Sequence, residues 1–270
     1  LHGSQLESMR VEHRIGEDAE KERLSSLNGE PRQVIREDDQ VTCISPHSRL
    51  VSREGHPAAH PGVPRLLPAH LDKLAEHYNF RLGGQDRVAD RSARVLTILP
   101  KDEFRYGYRL SLDEEHGLPL KTDMLDMSGE PVVQIMFTEL RVDSEQEPAA
   151  PQEPRQSALP AQPLSPIQAP GWTFEKLPGG FALIGHELRT QPDGQSLEHL
   201  VLSDGLAVVS VYVEETGPER ELVGPASMGA LNAYGKRYGQ YQVTVVGEVP
   251  GAMVSAVAES VRPVAQEATP

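Results

Sequence analysis

Seven of the 27 residues from Ser144 to Pro170 are proline, and only Leu159, Leu164 and Ile167 among them are large and apolar. Proline lacks a backbone donor and holds φ fixed, so such a tract cannot enter the middle of a sheet or helix. It reads as a semi-rigid extended linker, with a PxxP ligand (Pro151–Pro154, Pro160–Pro163) as the minor alternative. A chain of 270 residues broken in this way is expected to fold as two domains, in line with about 150 residues per domain. The expected division is a first domain over 1–143, a linker over 144–170, a second domain over 171–264 and a tail over 265–270.

Asp and Glu outnumber Lys and Arg by 40 to 26, a formal net charge of −14. That balance argues against a general nucleic-acid binder, which needs a basic footprint to displace counterions. It argues equally against docking on an anionic membrane by charge alone. No run approaches the roughly 18 apolar residues of a membrane helix. Cys43 is the only cysteine, so no intrachain disulfide can form, and the thiol does not decide the compartment. The opening Leu1-His2-Gly3-Ser4-Gln5 reads as a turn entering a strand, so a fragment is expected, with any signal peptide preceding Leu1.

The residues before the linker read mostly as antiparallel strands. Asn28-Gly29 between two alternating runs signals a hairpin. A meander is expected from 93 to 141: Arg94–Leu99, Tyr106–Leu112, Leu120–Met127 and Val132–Leu140. Tyr106, Tyr108, Leu110 and Leu112 share one face at period two, as do Val133, Ile135 and Phe137. One helix fits, Pro68–Tyr78, with Leu71, Leu74, Ala75 and Tyr78 on a single apolar stripe. A sheet curled around that helix would bury the stripe. After the linker, Trp172 and Phe174 open a second unit. Strands are expected at Phe181–Leu188, Leu197–Leu202, Leu206–Val213 and Gln242–Val246, with turns at Pro192–Gly194 and Ser203–Gly205. Leu206–Val213 is apolar on both faces and should be central. A helix, Gly251–Val261, places Val254, Val257, Ala258 and Val261 on one side. The class is α+β, mostly antiparallel β.

Chemistry-bearing motifs are scarce. The sequence holds no GxGxxG, P-loop, GxSxG, HExxH or CxxC. His47, His56, His60, His70 and His77 cluster within about thirty residues, but Pro57 and Pro61 break any helix that would align His56 with His60. They read as surface histidines, with no metal site. Asp38-Asp39 and Glu114-Glu115 read as solvated turn residues rather than a catalytic pair. No catalytic residue and no cofactor is expected. Lys236, Arg237 and Tyr238, followed by Tyr241, form the only basic-aromatic cluster: a solvated strand end, or a contact for a carboxylate-bearing peptide. Trp172, the only tryptophan, reads first as a seal on the second core and second as an interface anchor.

Four segments resemble one family. Arg105-Tyr-Gly-Tyr-Arg-Leu-Ser-Leu-Asp-Glu-Glu-His-Gly-Leu-Pro-Leu-Lys121 is similar to the first domain of the RseB/MucB regulators of envelope-stress sigma factors. Leu177-Pro-Gly-Gly-Phe181, Leu202-Ser-Asp-Gly-Leu206 and Val243-Thr-Val-Val-Gly-Glu-Val-Pro250 resemble its second domain in the same order. The resemblance spans about residues 4–263. It implies a periplasmic protein whose first domain is an incomplete β-barrel with helix, similar to the lipoprotein carriers LolA and LolB, and whose second is a smaller sheet with a helix. The family's signal peptide, first helix and opening strand would precede Leu1. It implies binding of the periplasmic segment of an RseA/MucA-type anti-sigma factor, protection of that segment from site-1 proteolysis, and release by lipid or lipopolysaccharide. On this reading Lys236, Arg237, Tyr238 and Trp172 are the partner-binding candidates, and Leu71, Leu74, Val133, Ile135 and Phe137 the lipid-binding ones. A homodimer is compatible with it. The alternative is a lipid or lipoprotein carrier, since a curled sheet with an apolar face suits acyl chains; a carrier has no need of the second domain. An enzyme is a distant third.

Overall fold

The structure, a computed structural model, describes residues 7–15, 20–37, 40–45, 48–53, 71–142, 170–190, 194–215 and 223–264. These fall into two compact units: one holds the described residues up to 53, and the other holds 71–141 together with 170–264.

The first unit is a five-stranded antiparallel meander: β1 (Met9–Ile15), β2 (Glu20–Ser26), β3 (Gln33–Glu37), β4 (Gln40–Ser45) and β5 (Ser48–Arg53). The expected β2–β3 hairpin forms, with Gly29 at φ +70°. Its loop is longer than a tight Asn-Gly turn, because the Asn28 side chain accepts a hydrogen bond from the Ser8 amide (2.7 Å) and ties the loop to β1. Cys43 lies exposed on β4.

The second unit begins with α1 (Leu71–His77). The helix ends one residue short of its apolar stripe, since Tyr78 opens a strand; residues 68–70 lie outside the described residues. β6 (Tyr78–Val88), β7 (Arg91–Pro100), β8 (Gly107–Asp113), β9 (Pro119–Leu125) and β10 (Pro131–Met136) form a sheet in the order β10-β9-β8-β7-β6. The meander thus starts one strand earlier than expected. β6 turns into β7 through Ala89-Asp90, both at positive φ (51° and 63°), without the Gly or Asn that announces such a turn.

Cross-strand register separates the two faces of this sheet. Tyr108 opposes Met124, which opposes Val133, and Leu110 opposes Thr122, which opposes Ile135. With Phe80, Leu96 and Ile98 they make one apolar face, against which Leu74 packs. The other face is polar. Asp123, 1 % exposed, accepts hydrogen bonds from Arg109 (2.8 and 2.9 Å) and Gln134 (2.6 Å), and the Ser111 hydroxyl donates to Asp86 (2.7 Å).

Past the linker, β11 (Trp172–Phe174) pairs with β18 (Val261–Pro263). β12 (Ala182–Thr190), β13 (Ser196–Ser203), β14 (Val208–Glu215), β15 (Gly224–Met228), β16 (Leu231–Tyr238) and β17 (Tyr241–Gly247) form a sheet ordered β12-β13-β14-β17-β16-β15. β14 is interior, as its two apolar faces required. α2 (Gly251–Ser260) buries Met253, Val254, Val257 and Ala258 against one face of this sheet. β15 and β16 were not anticipated: Ala, Ser, Asn and Gly dilute their β-propensity. The expected Pro192–Gly194 turn falls mostly outside the described residues, as do the linker and the tail.

Candidate functional site

The lipid-binding candidates gather on the apolar face of the β6–β10 sheet. Leu74 is 2 % exposed and joins Tyr78, Ile98 and Leu110, with Phe80, Leu96, Tyr108 and Leu112 packed around them. Val133 is half-buried against Tyr106 and Met124, and Ile135 is half-buried two residues on. Phe137 lies just past β10, its amide donating to the Leu120 carbonyl (2.9 Å). Leu71 opens α1; its side chain lies outside the described residues. The face is therefore closed at the helix end and half-open toward β10.

The partner-binding candidates do not form one patch. Successive strand side chains point to opposite faces. Lys236 and Tyr238 stand on the α2 side of β16, where Lys236 pairs with Glu259 of α2. Arg237 points the other way and donates to the Gly239 carbonyl (3.0 Å). Tyr238 meets Trp172 edge-on at 5.5 Å, and Trp172 meets Tyr241 at 5.1 Å. Trp172, 7 % exposed within the second core, is a floor under Tyr238 rather than an exposed anchor. Beside it, Pro170, Thr173, Phe174, Leu177, Leu183 and Val264 line an apolar groove of about 480 Å³.

Sequence reasoning passed over the group with the most concentrated chemistry. Arg105 is fully buried. Its Nε donates to Asp204 Oδ2 at 2.6 Å, and its guanidinium also bonds Asp102 and the Gly179 carbonyl. It lies over the Phe181 ring at 4.9 Å and near the Tyr78 ring at 5.6 Å. Tyr78 Oη donates to the same Asp204 oxygen at 2.8 Å. Burial works against the Arg105 charge, but Asp204 and Asp102 outweigh it and hold the guanidinium protonated. Burial, reinforced by Asp204, pushes the Tyr78 hydroxyl far up, so it stays a donor. Nearby, Asn232 donates to Tyr106 Oη (3.1 Å) and to the Val249 carbonyl (2.8 Å). Arg105, Gly179, Phe181, Asp204 and Val249 come from the four segments that carry the family resemblance, so those segments meet at one junction between the β6–β10 and β12–β17 sheets. The available signal was slight: Arg105 stands between Phe104 and Tyr106 just ahead of β8.

Among the described residues, Asp113, Glu115 and His116 are the one group spaced to hold a metal ion. Arg91 stands among them, bonding Asp113 (2.8 and 2.9 Å), Glu115 (2.6 Å) and His116 Nδ1 (3.0 Å). These bonds, Arg91 first, hold the Asp113 carboxyl well below the usual range. A guanidinium there supplies the positive charge a cation would. His47, His56, His60, His70 and Asp38-Asp39 lie outside the described residues; His77 packs on Gly179 and Gly180. No helix among the described residues is long and apolar enough to cross a membrane.

Comparison with known proteins agrees with this architecture. The family model for the MucB/RseB N-terminal domain matches residues 1–162, and that for the MucB/RseB C-terminal domain matches 166–262. The sigma factor AlgU regulatory protein MucB of Pseudomonas aeruginosa is 36% identical over 264 residues, covering 93% of this chain and 80% of its own. The sigma-E factor regulatory protein RseB of Haemophilus influenzae is 27% identical over 260 residues, covering 95% and 82%. Among solved structures, the complex of Pseudomonas aeruginosa MucA and MucB matches with a TM-score of 0.69 at 31% identity, covering 96% of this chain and 89% of that one. A crystal structure of MucB matches at 0.66 and 32%, covering 96% and 87%.

Proposed function

The chain belongs to the MucB/RseB family, and we propose that it is a periplasmic regulator that binds the periplasmic segment of an RseA/MucA-type anti-sigma factor. Binding shields that segment from site-1 proteolysis and restrains the envelope-stress sigma factor; lipid or lipopolysaccharide releases it. On this reading lipid sensing falls to residues 1–143, which span the first compact unit and the β6–β10 sheet of the second, 144–170 are the linker and anti-sigma binding falls to 171–264. The observation that carries this reading is the match, over nearly the whole chain, to a MucB structure solved with MucA. It is a binding role, with no catalytic residue assigned.

Within the second domain, Tyr238 on its Trp172 floor and Arg237 on the opposite face are the contacts to test. Tyr and Arg are typical interface anchors, and truncating one costs about 2 kcal/mol, roughly thirtyfold in affinity. Titration of a MucA-type periplasmic segment into the full chain, Tyr238→Ala and Arg237→Ala should show that loss in at least one variant, and which one identifies the face used. Two variants binding like wild type would move the site elsewhere on the chain. Failure of the wild type to bind would reject the regulator reading.

The carrier reading draws on the half-open end of the β6–β10 apolar face. It predicts binding of an acylated probe that Ile135→Asp abolishes, with no binding of the anti-sigma segment.

A further inference from the structure

The turn between β13 and β14 joins the apolar face of the β6–β10 sheet to the β12–β17 sheet. Asp204 is its pivot. Oδ1 accepts the backbone amides of Leu206 (2.9 Å) and Ala207 (2.8 Å), while Oδ2 accepts Tyr78 Oη (2.8 Å) and Arg105 Nε (2.6 Å). Both side chains of the Arg105–Asp204 pair are 0% exposed. Leu206, two residues on, packs onto the Leu74–Tyr78–Ile98–Leu110 cluster, which closes the helix end of the apolar face. The same turn leads directly into β14, the interior strand of the second sheet. We infer that the 203–207 turn is a latch: Leu206 is a built-in apolar plug, and an acyl chain entering the face displaces it, draws Asp204 off Arg105 and Tyr78, and loosens the β12–β17 sheet from the β6–β10 sheet. This rests on the reading of the apolar face as an acyl site and deepens it by naming how occupancy reaches the partner-binding part.

The chemistry makes the latch two-state. A buried carboxylate with four donors is fully satisfied, and an Arg105 that loses Asp204 is tolerable only once water reaches it, so half-open, dry geometries are sparsely populated and the open state is a hydrated one. Packed interfaces of this kind switch rather than deform continuously. Tyr78 is the physical link, since its ring belongs to the apolar cluster while its hydroxyl holds Asp204.

The test uses the full chain with Cys43→Ser and paired spin labels at Ser128→Cys and Gln240→Cys. The probe is a fluorescent long-chain fatty acid, with far-UV circular dichroism as the check on folding. In wild type, saturating probe should broaden and lengthen the label-to-label distances. Tyr78→Phe, which removes one hydrogen bond and no packing, should reach the same change at about tenfold lower probe concentration. Asp204→Asn should show it without probe. Probe binding that leaves the distances unchanged would overturn the latch while sparing the acyl site. Absence of probe binding in wild type would overturn the acyl-site reading and the latch's trigger together. Tyr78→Phe indistinguishable from wild type would overturn the latch by itself.

Discussion

Asp123 shows how a single side chain is held against its own burial. Burial raises its carboxyl, but the Gln134 amide, with Arg109 and Lys121, outweighs that and holds it below the ordinary aspartate range. An unfolded aspartate titrates near about 3.9. The stabilisation is therefore whole above that value and is lost as pH falls through the depressed folded value. Gln134→Met should cost about 1.5–3 kcal/mol at neutral pH, the worth of a hydrogen bond to a charged group. Urea titrations at a series of pH values should show the gap between variant and wild type closing below about pH 4. None of this was legible along the chain, where Asp123 reads as one polar residue in an alternating strand. Arg105 was missed for a related reason: its partner Asp204 is 99 residues away in sequence.

Among elements, the β6–β7 hairpin is the instructive case. Its pairing runs to Val88 opposite Arg91, which forces the two residues between into the left-handed region. Alanine there costs about 1 kcal/mol, since its Cβ crowds the following carbonyl. Asn is better tolerated, so Ala89→Asn should raise stability by about 0.5–1 kcal/mol, visible as a higher thermal midpoint with unchanged circular dichroism. The absence of a Gly or Asn signal is also why β6 went unrecognised. Where local signals were present, the elements were legible: Ser203-Asp204-Gly205 turns the β13–β14 hairpin, with Gly205 at φ 102°, and the apolar stripe Val254, Val257 and Ala258 marks the buried side of α2.

At the scale of the molecule, the two halves of the second unit differ in self-sufficiency. Every buried member of the second core lies between Trp172 and Val261. The clusters of residues 71–142 are smaller and borrow Leu206 and Ala230 from beyond the linker. A fragment of residues 170–264 should thus unfold in urea as one cooperative transition, since one contiguous core supports it. A fragment of residues 71–142 alone should show no cooperative transition. The outcome bears directly on whether the boundary drawn at the Pro-rich tract is a boundary in folding as well as in sequence.

The sequence by itself determined the mostly antiparallel class, the central position of β14, the helix α2, and the apolar face shared by Val133 and Ile135, because each depends on periodicity within a few residues. It also carried the family, through four short segments. Tertiary structure alone decided that three of those segments converge on Arg105 and Asp204, that Lys236 is the one that faces α2, and that Trp172 is a floor. Those facts depend on which strands become neighbours, and contacts between residues far apart in the chain leave no periodic trace along it.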